Sequence, residues 1–249
     1  SLDNLKVLLY CIVSGILSHC SIHSNCAHYG GGVYIEDCTR VVLLNNYFTR
    51  NFLKWHDGAA LYVYRTSKIK VQYSLFVGNI ALGDRYAVSY ICKTAHVVIL
   101  HATFYNQSFS KGWPYSGGGL YIDQAKSTIA MHSVFMNNWA YQGAGMFALN
   151  TKTVYLFNCS FLNNHGGHGM GLYLVKNEMI KVESVVFVNN QGIKGGGVQI
   201  IICSKVYVIH CDFVNNLVGS VGGAIFGDNN GERMPEIYII NVNFCNNIA

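Results

Sequence analysis

The sequence predicts an all-β fold, a single-stranded parallel β-helix of about eight to nine coils of 26–31 residues. Three observations predict it. Phe-x-x-Asn recurs at 48–51, 76–79, 135–138, 161–164, 187–190, 213–216 and 244–247, with near-copies at 22–25 and 104–107, so that successive copies start 26, 28, 28, 31, 26, 26, 26 and 31 residues apart. A glycine phrase keeps step with it: GGGVYI at 30, GAALYV at 58, GGGLYI at 117, GAGMFA at 143, GMGLYL at 169, GGGVQI at 195 and GGAIFG at 222, with a degenerate copy, RYAVSY, at 85. A short alternating run leads into each Phe, as in VVLLNNYF, VVILHATF, TVYLFNCSF and KVYVIHCDF. Such runs, rich in β-branched and aromatic residues, read as strands.

Each element of the coil then has a reason. The alternating run is a strand with one face inward, since successive side chains point opposite ways. Three short strands per coil cannot bury their own apolar face. A stack with strands about 4.8 Å apart pairs each in parallel with its copies and buries one continuous column. Nine Phe-type positions then span roughly eight rises, or about 38 Å. Equivalent side chains lie over one another, so Phe48, Phe76, Phe104, Phe135, Phe161, Phe187, Phe213 and Phe244 are expected to pile up inside. Asn51, Asn79, Asn138, Asn164, Asn190, Asn216 and Asn247 are expected to form an amide ladder. The glycines permit the sharp turn that follows. A β-propeller fits less well, because its blades take about 40 residues and antiparallel hairpins.

Composition narrows the function. A hydrophobic share of 51% against a charged share of 12% excludes a disordered chain. Net charge is 17 − 12 = +5 without any Lys/Arg run, so no nucleic-acid partner is expected. The longest apolar stretch, 5–17, is broken by Lys6, Ser14 and Gly15; it is too short to span a bilayer and lacks a signal peptide's basic start. No transmembrane segment is therefore expected. Residues 1–249 read as one β-helix domain and, with no initiator Met, as a segment of a longer repeat protein. Nine cysteines show no Cys-x-x-Cys pair and no zinc spacing, so neither metal nor cofactor is expected. Cys20, Cys159 and Cys211 should be packed thiols two residues before Phe, and Cys11 with Cys38 is the pair considered for a disulfide.

The pairing of Phe213–Asn216 with GGAI at 222–225 resembles the FxxN/GGA(I,L,V) repeat of the chlamydial polymorphic membrane proteins and of similar β-helix repeat proteins, over almost the whole chain. The resemblance implies a right-handed parallel β-helix passenger, exposed on a cell surface and used for adhesion. The chain is thus read as a non-enzymatic extracellular or cell-surface scaffold, adhesin-like. Its partners would be neighbouring domains, copies of the same chain, or a surface protein or glycan. The alternatives are a polysaccharide lyase or hydrolase and a self-assembling structural filament.

Contact residues are expected in three places. Four residues before each Phe-type position, alternation turns Leu44, Leu100, Met131, Phe157, Ile209 and Ile240 outward. A second outward column holds Tyr34, Tyr62, Ser89, Tyr121, Phe147, Tyr173, Gln199 and Phe226. Apolar strips of that length mark an interface. The third place is the loop edge between Asn and the glycines, with Trp55, His56, Asp57, Asp84, Arg85, Lys111, Trp113, Tyr115, Trp139, Tyr141, His165 and His168. Loops on one side of a solenoid carry binding residues, and these rings can stack on sugars or merely cover the core's end.

No catalytic residue is assigned. The seven aspartates include no pair in one column of adjacent coils, and the GHG at 167–169 lacks the partner motifs of the polygalacturonases it resembles. His19, His101, His132 and His210 share a bend column with Asn45, Asn158 and Asn241, which makes His101 and His132 direct neighbours. Asn106 and Asn158 each head a glycosylation sequon, the second expected to be buried in the ladder.

Overall fold

The structure, a computed structural model, describes residues 7–10, 13–53, 56–81, 87–109, 116–229 and 235–249. Among them every regular element is a strand, and the strands form three nine-stranded parallel sheets and two four-stranded ones. One coil shows the pattern. Leu172–Val175 enters the first sheet, Met179–Glu183 the second, Val186–Val188 the third, and Gln191–Lys194 a fourth side. A chain that adds one strand to each sheet per turn is the parallel β-helix that the repeat predicts.

The coil has four strands where the repeat suggested three. On the fourth side Cys26–Ala27, Phe52–Leu53, Ile80–Ala81 and Ser108–Phe109 form one sheet. Trp139–Gln142, His165–His168, Gln191–Lys194 and Leu217–Val221 form the other. The break between them falls in the long repeat that leads from Phe104 to Phe135. The other three sheets run past it without a shift in register, pairing Thr103 with Val134 and Phe104 with Phe135.

The columns carry the stability. Phe48 to Phe244 stack ring on ring at 4.4–5.3 Å between centroids. From Phe48 to Phe213 each is at most 1% exposed; Phe244, with no coil over it in the structure, is 49% exposed. Beside them the amide ladder is continuous from Asn138 to Asn247. Each Nδ2 donates to the next Oδ1, as from Asn164 to Asn190 at 3.0 Å, and to the carbonyl of the preceding coil's Phe. Gln107 interrupts it, and its buried Nε2 has no hydrogen-bond partner. Glycine is required where coils touch. A Cβ on Gly171 would lie 2.5 Å from the Gly197 carbonyl and 2.8 Å from the Phe187 ring.

The bend after the second sheet is left-handed in all nine coils, with φ near +50° at His19, Asn45, Tyr73, His101, His132, Asn158, Ser184, His210 and Asn241, seven of them His or Asn. Asn and His suit such a bend because a short polar side chain can bond locally. His101 and His132 do stack, 4.8 Å apart and 7° from parallel, and Asn45, Asn158 and Asn241 hydrogen-bond His19, His132 and His210. Asn158 is exposed on this bend, not buried in a ladder. Cys159 and Cys211 are buried, each thiol donating to backbone carbonyls, whereas Cys20 is half-buried. Cys11 lies outside the described residues; the Cys38 thiol donates to Glu36 O at 3.2 Å.

Candidate functional site

The outer face of the second sheet is unbroken, because five-residue strands pair there in continuous register from Ser14 to Ile240. Two of its outward columns meet in an apolar patch: Val98 and Leu100, Ile129 and Met131, Tyr155 and Phe157 sit side by side on three successive strands. All six are half-buried by one another and present their outer surfaces to solvent. Leu44 and Ile209 stand alike toward the two ends, and Ile240 is exposed. Charged side chains bound the patch: Lys181 pairs with Glu183 at 2.8 Å, and Tyr155 donates to Glu183 at 2.9 Å.

The tyrosine column is different from the expectation. It lies outside the coil, but Tyr62, Tyr121, Phe147 and Tyr173 are 9%, 3%, 5% and 6% exposed. The cause is the first glycine of each phrase. Gly169, at φ +57°, turns the chain so that the Tyr173 side chain lies where a Cβ would sit, at 2.8 Å. Stacking at 4.9–5.3 Å from Tyr34 through Phe147 then covers each face of most rings. Tyr90, not Ser89, fills the degenerate copy. Burial raises the phenol pKa of Tyr62, Tyr90 and Tyr173, the last to about 12. Tyr34 and Phe226 are half-buried at the ends of this second cluster. The column is a support, not a free strip.

Of the described residues of the expected loop edge, Trp139, Tyr141, His165 and His168 lie in strands, whereas His56 and Asp57 lie in a bend. Trp139 and His165 pair in register on the fourth side, as do His165 with Gln191 and His168 with Lys194. A polar groove of about 270 Å³ runs over it, lined by Asn137, Asn163, His165, Asn189 and Gln191. Tyr141 packs edge-on to His168 at 5.2 Å and lies over Gly167, where a Cβ would come within 2.7 Å of its ring. The glycines of HGGHG are thus set by packing. Burial, and next the Lys194 ammonium, hold the His168 pKa below its ordinary value. His56 stacks on Tyr29 at 4.0 Å, and Asp57 is buried. Trp55, Asp84, Arg85, Lys111, Trp113 and Tyr115 lie outside the described residues.

Residues 83–244 match the family model described as a right handed beta helix region. The chain belongs to the right-handed β-helix family. No curated protein and no solved structure matches it. In this β-helix protein the described carboxylates are dispersed. Glu36 and Asp37 are both held by Arg65 at 2.7–2.8 Å, and Asp123 accepts from Asn150 and Gln124. Among the described residues no three His, Cys, Asp or Glu gather as a metal site.

Proposed function

We propose that this β-helix chain is a non-enzymatic, adhesin-like scaffold of an extracellular or cell-surface protein, and that the outer face of its second sheet docks a protein partner. The observation that carries the reading is the apolar patch at Val98–Leu100, Ile129–Met131 and Tyr155–Phe157, open on a face the fold does not cover. Contiguous apolar surface with a charged border is the usual mark of a contact site. The likeness of the Phe-x-x-Asn and glycine phrases to those of the chlamydial surface proteins supports the location.

Support for a non-enzymatic role is chemical. A polysaccharide lyase or hydrolase needs carboxylates or a base grouped on neighbouring coils, and the described ones are apart or tied into ion pairs. Beads coated with the chain should adhere to cultured cells and lose that adhesion when Leu100→Glu and Phe157→Glu are combined. Adhesion unchanged in that variant overturns the docking face. Release of products from polygalacturonate, alginate or chondroitin sulfate, with or without calcium, that His168→Ala abolishes overturns the non-enzymatic reading.

A further inference from the structure

The third sheet turns an apolar column of its own to solvent. Its three-residue strands pair in continuous register from Ser21 to Cys245, with each Phe inward, so the residue after Phe points out. In six successive coils that residue is Val77, Tyr105, Met136, Leu162, Val188 and Val214, each half-buried. The chain then bends left-handed, and from the coil of Tyr105 onward the bend residue is Asn: Asn106, Asn137, Asn163, Asn189, Asn215 and Asn246, at φ +51° to +54°. Asn137 is half-buried and the other five are exposed. Among the described residues none of these six side chains makes a hydrogen bond.

This face is nearly without charge. Asp212 and His23 are the only Asp, Glu, Lys, Arg or His among its outward side chains, and Arg50 stands at its edge in the bend two coils before Asn106. The outer face of the second sheet, by contrast, carries Arg40, Lys68, Lys70, Lys181, Glu183 and Lys205. A chain of net charge +5 meets a copy of itself at least cost through the uncharged face. Amides also answer one another, since each both donates and accepts. These recur once per coil, about 4.8 Å apart, and a partner that satisfies every one must carry amides at the same rise. A second winding of this chain does.

We propose that two copies of this chain pair through the outer faces of their third sheets, about a two-fold axis that runs along the strands and passes between Met136 and Leu162. That axis turns the second copy upside down and lays each column on its own counterpart. Met136 meets the partner's Leu162, Tyr105 the partner's Val188 and Val77 the partner's Val214, each pair formed twice, as an isologous contact requires. The same rotation sets Asn137 against the partner's Asn163 and Asn106 against the partner's Asn189, a polar rim beside an apolar centre. From bend to bend and over nine strands the face measures roughly 20 Å by 38 Å. That is close to the value of about 800 Å² per partner that a stable interface buries. The pairing uses a different face from the docking patch of the second sheet and does not depend on it.

Sedimentation velocity of the whole chain over a range of concentrations should show reversible growth from the 27.6 kDa chain to twice that mass. Leu162→Lys, its fold checked by far-UV circular dichroism, sets two ammonium groups beside the two-fold and should weaken the dimer at least about tenfold. Leu100→Glu with Phe157→Glu, on the second sheet, should leave it within about twofold. Tyr105→Cys combined with Val188→Cys places thiols three coils apart in one chain but opposed across the axis. A short bismaleimide should join that variant into covalent dimers and leave the parent, whose exposed Cys245 stands at one end of the face, as single chains. A single-chain mass at every concentration, a Leu162→Lys dimer as tight as the parent's, a loss that follows the second-sheet variant instead, or no crosslink between the paired cysteines overturns the proposal.

Discussion

Replacing Asn164 by alanine tests the amide ladder directly. Its Nδ2 donates to Phe135 O at 2.9 Å and to Asn190 Oδ1 at 3.0 Å, and its Oδ1 accepts the backbone and side-chain N–H groups of Asn138 at 3.1 Å. Alanine removes all four bonds, but three of the partners retain another. Asn190 Oδ1 keeps the Asn164 backbone N–H, and Asn138 Nδ2 keeps Phe104 O. The Phe135 carbonyl keeps its place in the strand ladder, and the Asn138 N–H is left without a partner in a dry interior. That orphan costs about 1–3 kcal/mol and each of the other three lost bonds about 0.5–1.5 kcal/mol, so Asn164→Ala should cost about 4 kcal/mol. Asn163→Ala is the control. That residue is exposed at φ +52°, and alanine there loses only about 1 kcal/mol of left-handed preference. Urea titrations of both variants, followed by far-UV circular dichroism, should differ by about 3 kcal/mol. Equal losses would refute the view that the ladder, and not the bend, is why this position is Asn.

Three further outcomes follow from the same geometry. Gln107→Asn should raise stability by about 1 kcal/mol in the same titration, because a shorter amide can donate where Nε2 now has no acceptor. Gly166→Ala should destabilise by about 3 kcal/mol or shift the fourth side, since its Cβ would fall 1.7 Å from the Ala140 carbonyl; a melting temperature equal to the parent's would refute the close approach. Burial raises the Cys159 thiol from 9.0 to about 11, so the folded chain disfavours the thiolate. The associated stability is complete below about pH 9 and is lost as pH rises toward 11, about 3 kcal/mol in all. Cys159→Ala, with Ala102 as precedent in the same column, should flatten that decline; an unchanged slope would locate the alkaline sensitivity elsewhere.

The inward columns were legible in the sequence because Phe and Asn recur once per coil and their types declare stacking and bonding. The fourth strand was not. HGGH and QGIK hold three glycines and a single β-branched residue in eight positions, and they pair because neighbouring coils hold them in register. Alternation placed Tyr121 and Tyr173 outside the coil correctly, yet it says nothing of a glycine turn folding against an outward ring. The alignment of lysines at the corner between the first and second sheets was invisible for a simpler reason. Lys126 and Lys152 are 26 residues apart in the chain and one coil apart in space, so no local charge run announces them. Of the candidate contact residues, the Leu100–Phe157 column stood where alternation put it, because in and out on a paired strand is a local property.

Every coil is bonded only to the coil before it and the coil after it, through hydrogen bonds that point along the axis. A pull applied to the chain ends therefore meets one winding at a time, like thread leaving a spool. Each 26-residue winding would release about 90 Å of extended chain. A molecule built this way yields to tension in discrete steps of one winding, each of which can close again on the intact coil beneath it.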